Sequence, residues 1–154
     1  MRAPVFSSHS RKNNFNKMKA DLKVLLVDDD KATNLYNQYN LKKLGCCKSI
    51  DVALNGQEAI EFLTSKDEEG NHPQPHLIFL DINMPLVDGW EFLELYDQLS
   101  EEQKGDVIVV MLTTSVNQDD FKKAEANPHI KDFKSKPLTI DKMQELIESY
   151  WESK

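Results

Sequence analysis

The sequence predicts an α/β fold with a parallel sheet, and two features of the chain carry this prediction. From Leu22 onward, five short apolar runs alternate with five longer segments of helical character. Three of the runs, VLLV, LIFL and VIVVML, are apolar throughout, which is typical of strands that helices cover on both faces. Five β-α units of this kind indicate one parallel sheet.

Each element has its own local signal. The predicted strands are 23–28, 49–54, 76–81, 107–112 and 130–135, and the predicted helices are 31–45, 55–65, 89–103, 117–127 and 139–154. Gly45 is a stop signal for the first helix, and Asn55 and Asp88 are expected N-caps. The second and fifth strands alternate with polar residues, which suits edges. The pattern fits a flavodoxin-like three-layer sandwich of strand order 2-1-3-4-5 with five helices.

Composition limits the classes of function. A length of 154 residues suits one domain, and a net charge of -7 argues against a basic surface for nucleic acid. No apolar run approaches the roughly 18 residues that cross a membrane, so neither a membrane nor nucleic acid is expected as a partner. The adjacent Cys46 and Cys47 provide no disulfide framework, which predicts a cytoplasmic location.

Residues 1–20 differ from the rest of the chain. They carry five basic residues, no acidic one and no apolar middle of a signal peptide. We expect a disordered leader or a remnant of cloning there, followed by one domain over 21–154.

Polar side chains follow four of the predicted strands at the point where each strand ends. These residues are Asp28, Asp29 and Asp30 after the first strand, Asp81 after the third, Thr113, Thr114 and Ser115 after the fourth, and Lys136 after the fifth. The carboxyl ends of parallel strands lie on one edge of the sheet. We therefore expect these side chains to converge in the crevice where open α/β sheets bind ligands.

This set of side chains suits phosphoryl transfer onto a carboxylate. Clustered carboxylates need a counter-ion, and an all-oxygen set favours a hard cation such as Mg²⁺. The ammonium group of Lys136 and a threonine hydroxyl would bind an anion while Asp81 attacks in line. Taken singly, the residues also have structural explanations, because Asp30 suits an N-cap and Asp88 a turn and cap.

Four motifs resemble those of the receiver domain of two-component response regulators. They are VDDD (27–30), LDINMPLVDGW (80–90), MLTTS (111–115) and KSKPL (134–138), in the family's order and at its spacing. The likeness covers residues 22–154, and the layout is similar to that of the single-domain chemotaxis regulator. The resemblance implies a signalling protein rather than an enzyme, one that assists its own phosphorylation and dephosphorylation.

The resemblance also implies a role for each motif residue. Asp81 would be the phosphoacceptor, and the ligands of Mg²⁺, or alternatively Mn²⁺, would be Asp28, Asp29, Asp81 and the backbone carbonyl of Asn83. Lys136, Thr113 and Thr114 would bind the phosphoryl group. Thr113 and Phe133 would act as the switch residues, and the peptide bond to Pro137 would be cis. The implied phosphate donor is a histidine kinase or histidine phosphotransfer protein. Switching would change the surface of the fourth helix, fifth strand and fifth helix, which an unknown downstream protein would bind.

Three alternatives stay open at this stage. An aspartate-nucleophile phosphatase usually needs a second carboxylate two residues after the nucleophile, where this chain has Asn83. A nucleotide or flavin site is disfavoured because DDDKAT (28–33) has no glycine and would repel phosphate. A receiver-like interaction module that ignores phosphate needs a binding assay to exclude it.

Overall fold

The structure of the chain is a computed structural model that describes residues 21–84, 86–106, 108–113 and 118–154, with the backbone alone for 108–113. The strands are β1 (Leu22–Val27), β2 (Cys47–Ala53), β3 (Leu77–Asp81), β4 (Ile108–Thr113) and β5 (Ile130–Ser135). The helices are α1 (Lys31–Leu44), α2 (Gly56–Thr64), α3 (Gly89–Asp97), α4 (Gln118–Ala126) and α5 (Ile140–Glu152). The strands form one parallel sheet of order β2-β1-β3-β4-β5, which confirms the predicted topology.

Two hydrophobic clusters lie on opposite faces of the sheet. Successive side chains of a strand point to opposite faces, so Leu26 and Phe79 pack with α1 and α5, while Leu25 and Ile78 pack with α2 and α3. All five residues of β3 are buried, as expected for a central strand covered on both faces. The predicted edge strands β2 and β5 are mostly half-buried or exposed. The fold is therefore the expected three-layer sandwich.

The predicted helix signals have the expected local geometry. Gly45 adopts φ +66° at the end of α1, a conformation that glycine accepts without steric cost. The side chains of Asn55 and Asp88 accept hydrogen bonds from the backbone N–H of Glu58 and Glu91. Local side-chain chemistry thus sets where these helices begin and end.

The third helix is shorter than predicted. It ends at Asp97 instead of residue 103, because a separate turn follows in which the Ser100 N–H donates to the Gln103 side chain and the Gln103 N–H to the Ser100 carbonyl. The other bounds differ from the predicted ones by at most two residues, and those of β5 are identical. The expectation for residues 1–20 lies outside the described residues and stays a prediction.

Gly89 allows α3 to start against the loop that follows β3. A Cβ atom there would lie 2.5 Å from the Cα of Ile82 and 3.0 Å from the carbonyl oxygen of Asp81. The Gly89 N–H donates a hydrogen bond to the Ile82 carbonyl. The absence of a side chain at Gly89 therefore decides how closely the helix approaches the backbone beside Asp81.

We expect Gly89→Ala to lower the free energy of unfolding by about 1–3 kcal/mol, because the added methyl group has to displace the backbone of Ile82 as well as its side chain. The control is Leu86→Ala in the same loop, where the side chain is 77% exposed and a change within about 0.5 kcal/mol is expected. Urea unfolding of the two variants measures both values. Equal stability would show that the loop yields to the helix at no cost.

Candidate functional site

Three strand ends bring one lysine between two carboxylates. Asp28 directly follows β1, Asp81 is the last residue of β3, and Lys136 directly follows β5. The Lys136 Nζ atom donates to Asp28 Oδ2 at 2.6 Å and to Asp81 Oδ2 at 3.1 Å. The three side chains are only 13%, 2% and 7% exposed for Lys136, Asp28 and Asp81. The predicted convergence of these residues is thus present in the fold.

Each buried carboxylate uses its two oxygens differently. Asp28 Oδ1 accepts the N–H of Asp30 at 2.9 Å, and Asp81 Oδ1 accepts the N–H of Asn83 at 3.0 Å. Side chains that bond to the backbone two residues ahead stabilise a turn of the following loop. One oxygen of each aspartate therefore holds its own loop, and the other faces Lys136.

The acidic residues can also hold a cation. Single carboxylate oxygens of Asp28, Asp29 and Asp81 lie within 4.8 Å of one another, and Asp29 is exposed at the mouth of the site. Lys136 offsets one of three negative charges. A set of oxygen donors with no histidine or cysteine fits a hard divalent cation that keeps some of its water, as Mg²⁺ does.

Burial and charge shift the pKa values of two of these groups. Burial raises the pKa of Asp81, and repulsion from Asp28 adds to it, although the Asn83 N–H and Lys136 favour the anion. Burial also opposes the charge of Lys136, but the hydrogen bonds and charges of Asp28 and Asp81 outweigh it and raise the pKa of Lys136. The lysine is therefore a cation at neutral pH, beside a carboxylate that is costly to ionise.

The structure describes the remaining predicted residues to different extents. The Lys136–Pro137 peptide bond is cis. Thr113 ends β4, where its backbone pairs with Ser135, but its side chain, Thr114 and Ser115 lie outside what the structure describes. Asn83 is exposed in the loop after β3.

Phe133 is half-buried in β5. Its ring meets the ring of Phe121 from α4 edge-on, with 5.8 Å between the centroids. Phe121 is 44% exposed, so this aromatic pair reaches the surface between α4 and β5.

One residue that bonds to the main chain of Asp28 was not predicted from the sequence. The Asn34 side chain in α1 donates a buried hydrogen bond of 2.8 Å from Nδ2 to the carbonyl oxygen of Asp28. A signal was available, because Asn34, Asn37 and Asn40 recur at a spacing of three in a helix where apolar residues are expected on the inner face.

Comparison with known proteins places the chain in a family. The model of the response regulator receiver domain matches residues 24–148. Response regulator Rcp1 of Synechocystis sp. is 35% identical over 131 residues, which cover 83% of this chain and 87% of that protein. A two-component response regulator of Cytophaga hutchinsonii superposes with a TM-score of 0.71 at 30% identity, covering 86% of this chain and 99% of that one. The chain belongs to the response regulator receiver family.

The same likeness extends to a larger signalling protein. Hybrid signal transduction histidine kinase F of Dictyostelium discoideum is 31% identical over 133 residues, which cover 84% of this chain and 11% of that kinase. Within the part of the chain that the structure describes, no helix has both the length and the apolar character that a membrane crossing requires. The family is one of signalling domains of two-component systems.

We expect Asp81→Asn to raise the free energy of unfolding of the Mg²⁺-free protein near neutral pH. A raised carboxyl pKa means that the folded chain keeps a proton that the unfolded chain has released, so the wild type loses stability as the pH rises above the ordinary value of 3.8. The asparagine variant has no such loss, and its advantage should shrink in acid. Urea unfolding over a pH series measures the difference.

Asp97→Asn provides a control of opposite sign. The hydrogen bond from His129 Nε2, at 2.8 Å, lowers the pKa of the exposed Asp97. Its contribution to stability is present above the ordinary carboxyl pKa and is lost as the pH falls through the lowered one, so this variant should be less stable near neutrality. If the Asp81→Asn curve follows the Asp97→Asn curve, Asp81 has no raised pKa.

Proposed function

We propose that the chain is the phosphoacceptor of a two-component phosphorelay and that Asp81 receives the phosphoryl group. One observation carries the proposal: a single lysine cation contacts Oδ2 of both Asp28 and Asp81 at the edge of the sheet where Asp29 is exposed. A nucleophilic carboxylate, a cation for the incoming phosphate and donors for a metal are the parts that transfer to an aspartate needs.

The hydrogen bonds favour one oxygen of Asp81 as the nucleophile. Oδ1 is engaged by the Asn83 N–H, whereas Oδ2 lies beside the Lys136 ammonium group. Attack by Oδ2 forms the new P–O bond, breaks the bond from phosphorus to the donor and leaves the phosphoryl oxygens next to the lysine. Lys136 would then exchange its contact with the carboxylate for one with the phosphoryl group.

Asp28, Asp29 and Asp81, with the Asn83 carbonyl, would hold Mg²⁺ or Mn²⁺. A bound divalent ion supplies charge neutralisation for the transferring group. The residues' own part is to orient the carboxylates, since the loop bonds from Asp30 and Asn83 leave Oδ2 of each buried aspartate directed into the site. The all-oxygen donor set supports this assignment.

Phosphorylation would change the surface formed by α4, β5 and α5, which a downstream protein would bind. Thr113 would bind the new phosphoryl oxygens with Thr114, and Phe133 would move as the loop after β4 closes. The edge contact of Phe133 with the half-exposed Phe121 supports a route from this ring to the surface. Asn83 supplies no obvious general base, so the self-dephosphorylation would proceed without one.

The donor would be a histidine kinase or a histidine phosphotransfer protein, and the likeness to a segment of a hybrid histidine kinase supports this class. We place the protein in the cytoplasm because its two cysteines, Cys46 and Cys47, are adjacent in the chain and provide no disulfide framework. Residues 21–154 would be the receiver, and residues 1–20 would be a leader or a remnant of cloning. The family match and Asn83 at the position of a second carboxylate disfavour a phosphatase.

With acetyl phosphate and Mg²⁺, we expect the wild-type chain to gain one phosphoryl group and Asp81→Asn to gain none. Intact-mass spectrometry measures the gain, and omission of Mg²⁺ should remove it. The control is Asp88→Asn, which removes a neighbouring carboxylate but keeps an N-cap of similar quality, so it should react as the wild type does.

Failure of the wild type with acetyl phosphate calls for the same measurement with a phosphorylated histidine phosphotransfer protein. If that donor also adds no phosphoryl group to a folded protein, the phosphoacceptor function is wrong and a phosphate-independent interaction module takes its place. Modification of Asp81→Asn would instead place the acceptor at another residue.

We expect Lys136→Met to slow phosphorylation at least about 100-fold, since an ammonium group positioned on the transferring charge is lost. Lys134→Met is the control, because that lysine lies two residues earlier and pairs weakly with Asp132 at 3.7 Å. Its rate should stay within a factor of about two of the wild type. The rates come from the mass-spectrometric time course at saturating Mg²⁺, and similar rates for the two variants would remove Lys136 from the mechanism.

A further inference from the structure

The inner face of α1 is unusual because it is lined by asparagine. Asn34, Asn37 and Asn40 are only 3%, 2% and 6% exposed. Burying an amide is costly unless its polar atoms find partners, and an inward helix face is ordinarily apolar. The buried side-chain oxygens of Asn34 and Asn37 have no hydrogen-bond partner among the described residues. Packing alone therefore does not account for these side chains.

Asn34 differs from its neighbours by what its amide nitrogen contacts. Nδ2 donates to the main-chain carbonyl of Asp28 at 2.8 Å in a fully buried bond. On the other side, the Asp28 N–H donates to the Ala53 carbonyl of β2 at 3.1 Å. The peptide groups on both sides of Asp28 are thus held, one by the sheet and one by α1.

The position of this bond matters for the acidic loop. The carbonyl of Asp28 belongs to the planar peptide unit that leads into Asp29. The orientation of this unit therefore fixes the Cα position from which the Asp29 side chain extends. The same loop is closed by the Asp30 N–H on Asp28 Oδ1. Without Asn34, a buried carbonyl would lose its partner and the peptide would gain freedom to rotate.

We infer that Asn34 is a positioning residue for the divalent cation, acting through the main chain of Asp28 and Asp29; this rests on the function proposed above. In the bonds described, the Asn34 side chain contacts the main chain of Asp28 and none of the carboxylates of the site. Groups that hold metal ligands in place typically change metal affinity by about 10–100-fold when they are removed. Burying the Asn34 amide is unfavourable for packing, but its hydrogen bond orients Asp28 and Asp29.

The test compares Asn34→Leu with Asn37→Leu. Leucine has the same branched arrangement of side-chain heavy atoms as asparagine and cannot donate a hydrogen bond, and Asn37 makes no described hydrogen bond to the acidic loop. Calorimetric titration of each apo protein with Mg²⁺ gives the affinity, and urea unfolding without Mg²⁺ gives the stability. We expect Asn34→Leu to bind Mg²⁺ about 10-fold more weakly and Asn37→Leu to bind as the wild type does.

The two measurements separate a positioning role from a structural one. If Asn34→Leu loses stability but keeps its Mg²⁺ affinity, or if both variants weaken binding equally, the inference is wrong. Should Asn34→Leu fail to fold, Asn34→Ser replaces it, because the shorter side chain does not reach the Asp28 carbonyl. The Mg²⁺ affinity and the stability of Asn34→Ser then test the inference in the same way. A wild type that binds no Mg²⁺ would overturn the proposed metal site itself, which is a distinct result.

Discussion

Two buried carboxylates share one ammonium group, and the rest of the site depends on that arrangement. Asp28 and Asp81 could not both stay ionised so close together in a water-poor crevice without a cation between them. Lys136 supplies that cation from a position 108 residues further along the chain than Asp28. Only a parallel sheet in which β1, β3 and β5 end on the same edge brings the three side chains together.

The arrangement is favourable for chemistry rather than for stability. Asp28 and Asp81 contact one lysine, and a carboxylate oxygen of Asp29 lies within 4.8 Å of theirs. Burial raises the pKa of Asp81, which means that the folded state opposes its ionisation. Burial of the apolar side chains of β3 on both faces of the sheet stabilises the fold and offsets this unfavourable ionisation. A divalent cation would remove part of the repulsion, so the clustering of negative charge and the proposed need for a metal have the same physical origin.

Backbone contacts aim the acidic groups. Gly89 lets α3 approach the peptide that follows Asp81, and Asn34 holds the peptide that follows Asp28. In both places a helix fixes a loop at the edge of the sheet. In α3 the absence of a side chain at Gly89 allows this, and in α1 the amide of Asn34 does it through one hydrogen bond. The orientation of the two carboxylates therefore depends on residues that do not themselves reach the site.

The sequence by itself determined the fold class, the strand order and the acidic and lysine components, because apolar runs, capping residues and the shared edge of parallel strands follow from local pattern. The roles of Thr113, Thr114 and Phe133 stay predictions. Only the tertiary structure decided that Lys136 bridges Oδ2 of both aspartates, that Asn34 bonds the carbonyl of Asp28 and that the third helix ends early. The lysine contacts depend on distances between segments far apart in the chain, which no local pattern encodes. The Asn34 bond and the end of the third helix are short-range contacts that compete with the apolar and helical pattern, and that pattern does not show which of them wins.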